Sequence, residues 1–115
     1  MLRALVTGGS GMLGGSLCNI LKNRKIEVFA PTRAQLDLAD IFMVRDLLTE
    51  INPDVIFHCA ASVGGIQANI DSKSKFLTDN YVIDFNLLTS AREKKIRNLA
   101  YIGSSCMYPT GIDIP

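Results

Sequence analysis

The sequence predicts a doubly wound α/β domain, a parallel sheet with helices on both faces, and three observations carry that prediction. Short runs of strand length alternate with longer amphipathic runs along the whole chain. The short runs are apolar almost without a break, as strands are when both of their faces are covered. The first of them, Leu5-Val6, also passes through a glycine-rich corner, Thr7-Gly8-Gly9-Ser10-Gly11-Met12-Leu13-Gly14, directly into a helical pattern. A Rossmann-type βαβ unit has such a corner where it binds a dinucleotide.

The elements follow in order. A strand is expected at Arg3–Thr7 and a helix at Met12–Asn23, where Leu13, Leu17, Ile20 and Leu21 fall at helical spacing. Next come a strand at Glu27–Ala30, a helix at Ile41–Glu50 and a strand at Val55–Cys59. A long helix then runs from Ser74 to Lys95, and a strand at Leu99–Gly103 completes the alternation. The expected spatial order is 3-2-1-4, with the ligand crevice between the first and fourth strands. The long helix carries two apolar lines: Phe76, Ile83, Leu87 and Ala91 form one, and Leu77, Tyr81, Phe85 and Leu88 the other. One line suffices to face a sheet, so a partner subunit or a further part of the same chain is expected over the second.

Composition narrows the function classes. With 115 residues there is room for at most one domain with a limited core. The net charge is +1, with acids and bases interspersed and no basic run, which argues against a nucleic-acid partner. No apolar stretch approaches the ~18 residues of a membrane span, and Met1-Leu2-Arg3-Ala4 leads straight into the first strand, so no membrane and a cytoplasmic location are expected. Cys18, Cys59 and Cys106 are odd in number and form no Cys-x-x-Cys pair, which speaks against a disulfide framework or a metal site. Cys18 and Cys59 read as small buried hydrophobes.

The chemistry gathers where strands end. Glycines at the corner allow a tight turn, a close approach of backbone to a pyrophosphate, and close helix–strand packing. The N–H groups opening the helix then face the phosphates. Gly8, Gly9, Ser10, Gly11, Met12, Leu13 and Gly14 are therefore candidate cofactor ligands. After the second strand, Arg33 stands where a nicotinamide-binding fold reads the ribose. An acid there would bond a 2′-hydroxyl, whereas arginine suits a 2′-phosphate, so NADP is expected unless Arg33 is an exposed loop charge. Asp37 and Leu38 either border the adenine or cap the helix near Ile41. His58, inside an apolar strand, reads as a packed and hydrogen-bonded core residue rather than a proton donor. Ala60 and Ala61, small residues ending the third strand, are candidate walls of the site. The fourth strand delivers Tyr101-Ile102-Gly103-Ser104-Ser105-Cys106 beside the nicotinamide position. There Ser104 can bond a carbonyl oxygen turning into an alkoxide, and Cys106 can move a proton.

With the glycine corner, Arg33, Ala60-Ala61-x-Val63-Gly64-Gly65-Ile66, Asn80 and Gly103-Ser104-Ser105-Cys106-Met107-Tyr108-Pro109 in hand, the chain resembles the extended short-chain dehydrogenases/reductases over nearly its whole length. Within them it is similar to the branch that epimerises and reduces GDP-4-keto-6-deoxy-mannose; related 4-epimerases and dehydratases usually carry Thr at the place of Cys106. The resemblance implies a nucleotide-sugar substrate, NADP, and a homodimer in the complete enzyme. It makes Ser104 and Cys106 catalytic: Ser104 would bind the keto oxygen, and Cys106 would be an acid/base of the C3 and C5 inversions. It also implies that Ala60, Ala61, Ile102, Gly103, Ser104 and Ser105 line the cofactor. The family's Tyr-x-x-x-Lys is absent here, since Tyr81, Tyr101 and Tyr108 are followed four residues on by Phe85, Ser105 and Ile112. The chain thus reads as the amino-terminal part of a dinucleotide-binding domain, inactive by itself. A related nucleotide-sugar 4-epimerase or dehydratase, which Cys106 speaks against, and a non-catalytic dinucleotide-binding module are the other expectations.

Overall fold

The computed structural model describes residues 1–61, 73–103, 109–111 and 113. Four parallel strands, β1 (Arg3–Thr7), β2 (Glu27–Phe29), β3 (Val55–His58) and β4 (Asn98–Tyr101), alternate with helices α1 (Met12–Asn23), α2 (Ile41–Ile51) and α3 (Lys73–Glu93). The Rossmann-type reading of the fold holds, and every expected element is present with ends within two residues of those expected.

Side-chain alternation along β1 splits the core in two. Ala4 and Val6 face one way and pack with Cys18 and Leu21 of α1. Leu5 faces the other way and packs, with Ile56 of β3, against Val44, Leu48 and Ile51 of α2 and Leu87 and Ala91 of α3. Period-two alternation in the strands and a stripe on each helix thus produce one layer on each face of the sheet.

The strand order is 2-1-3-4, not 3-2-1-4. Handedness explains the difference. A crossover between parallel strands is right-handed, so two successive crossovers that move the same way across a sheet put their helices on the same face. Order 3-2-1-4 would require α1 and α2 to share a face. Instead α2 lies with α3, opposite α1, so the chain reverses direction after β2 and β3 lands on the free side of β1. The switch point, and with it the crevice, lies between β1 and β3 rather than between the first and fourth strands.

The helix ends are set by local hydrogen bonding. Lys25 and Lys95 adopt left-handed φ values of 60° and 59°, and the N–H groups of Ile26 and Ile96 reach back to Leu21 and Ala91 to close α1 and α3. These are Schellman-type stops built on lysine where glycine is usual. At the other end of α2, Asp40 caps by accepting the N–H groups of Phe42 at 3.0 Å and Met43 at 3.3 Å. The capping role open to Asp37 therefore falls to Asp40, and Asp37 instead accepts the Ala39 N–H at 2.9 Å. Among the described residues, no helix is long and apolar enough to cross a membrane.

Candidate dinucleotide site

The glycine corner sits on the crevice between β1 and β3. Gly8 has φ 70°, and a Cβ placed on it would lie 2.8 Å from the Ala60 nitrogen and from the Cys59 carbonyl carbon. Neither the backbone angle nor the space admits a side chain. The Gly11 N–H returns to the Gly8 carbonyl at 3.1 Å and tightens the turn. Gly14, buried on the first turn of α1, has its Cα pressed against that same carbonyl, so a Cβ there would collide with it. At Gly8 and Gly14 the corner is thus walled by backbone, which is what a charged pyrophosphate needs for close approach.

Gly11 is also the N-cap residue of α1, and no side chain caps the helix there. The N–H groups of the first turn have no intrahelical acceptors, so they present a partial positive charge at the corner. Ser10, Met12 and Leu13 are exposed around it, Met12 at 92%.

Other strand ends converge on the same place. Beyond β2, the Ala30 Cβ is 2.7 Å from where a Gly9 Cβ would be. Three residues on, Arg33 is exposed on a turn that is locked at both ends. Thr32 N–H donates to Gln35 Oε1 at 2.9 Å, and Gln35 N–H donates to Thr32 Oγ1 at 3.3 Å and to the Thr32 carbonyl at 3.0 Å. This reciprocal pairing has the geometry and spacing of a capping box, legible as Thr-x-x-Gln but unused in the sequence reading. Arg33 makes no ion pair among the described residues. Leu38 is half-buried against the core, and its carbonyl accepts the Asn86 amide of α3 at 2.8 Å, which fixes the loop carrying Asp37.

Ala60 is half-buried and Ala61 exposed at the end of β3, and the Ile102 N–H donates to the His58 carbonyl at 3.3 Å, so the end of β4 lies beside them. Ile102 and Gly103 are exposed there. Ser104, Ser105 and Cys106, together with Val63-Gly64-Gly65-Ile66, lie outside the described residues. The structure brings together the glycine corner, Ala60 and Ile102, and it places Arg33 just past Ala30.

Below the corner, His58 is buried and fully engaged, as expected. Its Nδ1 is 2.7 Å from Thr7 Oγ1 and its Nε2 is 2.7 Å from Asp84 Oδ1. The Tyr101 hydroxyl donates to Asp84 Oδ2 at 2.7 Å, and Thr7 Oγ1 accepts the Ala60 N–H at 3.2 Å. The bond to Asp84, then burial, raises the Tyr101 hydroxyl above its ordinary range. That Thr7, Asp84 and Tyr101 meet around His58 was not legible in the sequence; the one signal was a carboxylate, Asp84, between the apolar positions Ile83 and Phe85 of a helix. Burial, and secondarily the nearby Cys18, pushes the Cys59 thiol up, so it stays protonated and packs as a small hydrophobe.

The chain is 39% identical over 112 residues to a GDP-L-colitose synthase of Yersinia pseudotuberculosis, covering 97% of this chain and 36% of that protein. It is 38% identical over 113 residues to a GDP-L-fucose synthase of Azorhizobium caulinodans, covering 98% and 36%. A solved GDP-mannoheptose C4 reductase from Campylobacter jejuni with NADP bound superposes with a TM-score of 0.89 at 26% identity, covering 99% of this chain and 36% of that one. The chain spans about a third of the length of the relatives it matches. Residues 4–115 match the NAD dependent epimerase/dehydratase family, and the chain belongs to that family.

Proposed function

We propose that this chain is the amino-terminal, cofactor-holding part of an NADP-dependent enzyme that epimerises a GDP-linked 4-keto-6-deoxy sugar at C3 and C5 and reduces it at C4 to GDP-L-fucose. The observation that carries the reading is the backbone-walled corner at the β1/β3 switch point, where Gly8 is pressed on Ala60. NADP bound to a reductase of similar fold, and relatives that act on GDP-sugars, support it. NADPH, when bound, supplies the hydride for the C4 step.

The chain's own residues have distinct tasks. Gly8 to Gly14 and the opening N–H groups of α1 hold the pyrophosphate. Arg33, raised on its locked turn, pairs with the 2′-phosphate, while Asp37 and Leu38 border the adenine. Ala60, Ala61, Ile102, Gly103 and Ser105 form the wall beneath the nicotinamide side. Ser104 donates a hydrogen bond to the C4 oxygen, which gains charge both when a proton leaves C3 or C5 and when hydride arrives. Cys106 takes and returns one of those protons. No Tyr-x-x-x-Lys occurs in these residues, so the proton donor of the reduction is not among them and the chain by itself is inactive. That same fact favours a second reading, a dinucleotide-binding module without catalysis.

Titration of NADPH and NADH into the parent chain and Arg33→Ala, followed by nucleotide fluorescence, tests the cofactor reading. The variant is expected to lose about 1.5–3 kcal/mol of NADPH affinity and little for NADH, the worth of one charged hydrogen-bonding partner. Equal weakening of both nucleotides would remove Arg33 from the ribose site. In a longer parent enzyme, Cys106→Ser is expected to slow solvent deuterium uptake at C3 and C5; a module without catalysis shows no uptake at all.

A further inference from the structure

A row of residues crosses the carboxyl end of the sheet: Thr7 stands in register with His58, and His58 with Tyr101. Asp84 of α3 completes it. One allocation of protons uses every donor once. Both Asp84 oxygens accept, Oδ2 from the Tyr101 hydroxyl and Oδ1 from His58 Nε2, each at 2.7 Å. The ring proton therefore resides on Nε2 and leaves a lone pair on Nδ1. Thr7 gives its single hydroxyl proton to Nδ1 at 2.7 Å, and its oxygen accepts the Ala60 N–H at 3.2 Å. A directed chain thus runs from the Ala60 backbone to a carboxylate on a helix. His58 is 2% exposed, and buried polar chains hold a unique arrangement only when every member is satisfied.

The end of this chain is the wall of the candidate site. Ala60 N lies 2.8 Å from where a Gly8 Cβ would sit, so a few tenths of an ångström at Ala60 change the room under the glycine corner. We propose that Asp84 is a positioning residue for the dinucleotide: by holding the His58 ring proton on Nε2 it aims the Thr7 hydroxyl, and through it sets the height of Ala60 beneath Gly8. This rests on the dinucleotide reading above.

His58 is the only histidine, so its ring nitrogens are read in a ¹⁵N spectrum without ambiguity. In the parent chain Nε2 is expected to carry the proton and Nδ1 to be bare. Asp84→Leu removes the acceptor; the proton is expected to move to Nδ1, Ala60 amide exchange to speed up about tenfold, and the NADPH dissociation constant to rise by a similar factor, the worth of one hydrogen bond. Asp84→Asn keeps an acceptor oxygen and is expected to restore the Nε2 proton and bring affinity back to within about threefold. A ring proton on Nδ1 in the parent overturns the proposal, and it does so even if Asp84→Leu does not fold. An Asp84→Leu chain with parental Ala60 exchange and NADPH affinity overturns the positioning role alone. A parent that binds neither NADPH nor NADH overturns the cofactor reading, and the positioning role with it.

Discussion

At the scale of single residues, what was legible depended on how local the physics is. Gly8 could be picked out because a left-handed turn at the end of a strand demands glycine within a few positions of that strand. Its φ of 70° and the Ala60 backbone, 2.8 Å from where a Cβ would sit, supply the two reasons together. Arg33 was singled out by its place after β2, and the structure leaves it exposed there. The partners of His58 were not legible, because they come from positions 51 residues before it and 26 after, joined only by strand register and the docking of α3. The Tyr101–Asp84 bond carries a pH dependence with a definite sign. Bonding to Asp84, with burial, raises the folded-state value of this hydroxyl. Its contribution to stability is thus intact below the ordinary tyrosine range near about 10 and is lost as pH rises through the higher folded value. The parent is expected to unfold at a higher urea concentration than Tyr101→Phe at neutral pH, and the gap to narrow only above about pH 10. A gap that widens with rising pH would contradict the bond.

At the scale of elements, periodicity located every strand and helix but said nothing of direction across the sheet. That α2 turns to the face opposite α1 is fixed by which sides of β1 and of the helices meet, a three-dimensional fact that gives 2-1-3-4. The end of α3, expected at Lys95 and found at Glu93, was similarly obscure, since a lysine in left-handed geometry carries no glycine signal. The face shared by α2 and α3 is the heavier half of the core. Leu48, 1% exposed, sits there with Leu5, Ile56 and Leu87. Leu48→Ala is expected to cost about 2–5 kcal/mol, the transfer term plus a cavity that close neighbours cannot collapse into. Urea unfolding followed by circular dichroism checks it. A loss under about 1 kcal/mol would mean that this layer is loosely packed.

At the scale of the whole molecule, the inner line of α3 is spent on the sheet and the outer line is not. Leu87 and Ala91 are buried, whereas Leu77, Tyr81, Phe85 and Leu88 are 74%, 66%, 50% and 40% exposed. The Tyr81 and Phe85 rings stack with centroids 6.1 Å apart, which joins two of these exposed side chains into one apolar surface. Such patches on monomers mark interaction sites or aggregation liabilities. β4 adds to the hazard: it pairs with β3, and among the described residues nothing pairs with its other edge, the kind of edge on which chains associate. We propose that in the complete enzyme this helix face packs on its copy in a homodimer. For the 115-residue chain, sedimentation velocity over a hundredfold concentration range is expected to show self-association, and Phe85→Glu to reduce it, because a charge in the middle of the stack must be desolvated for two faces to meet. A parent chain that stays monomeric throughout, unfolds cooperatively and binds NADPH would instead favour the small-module reading. Self-association undiminished by Phe85→Glu would move the contact from the helix to the strand edge.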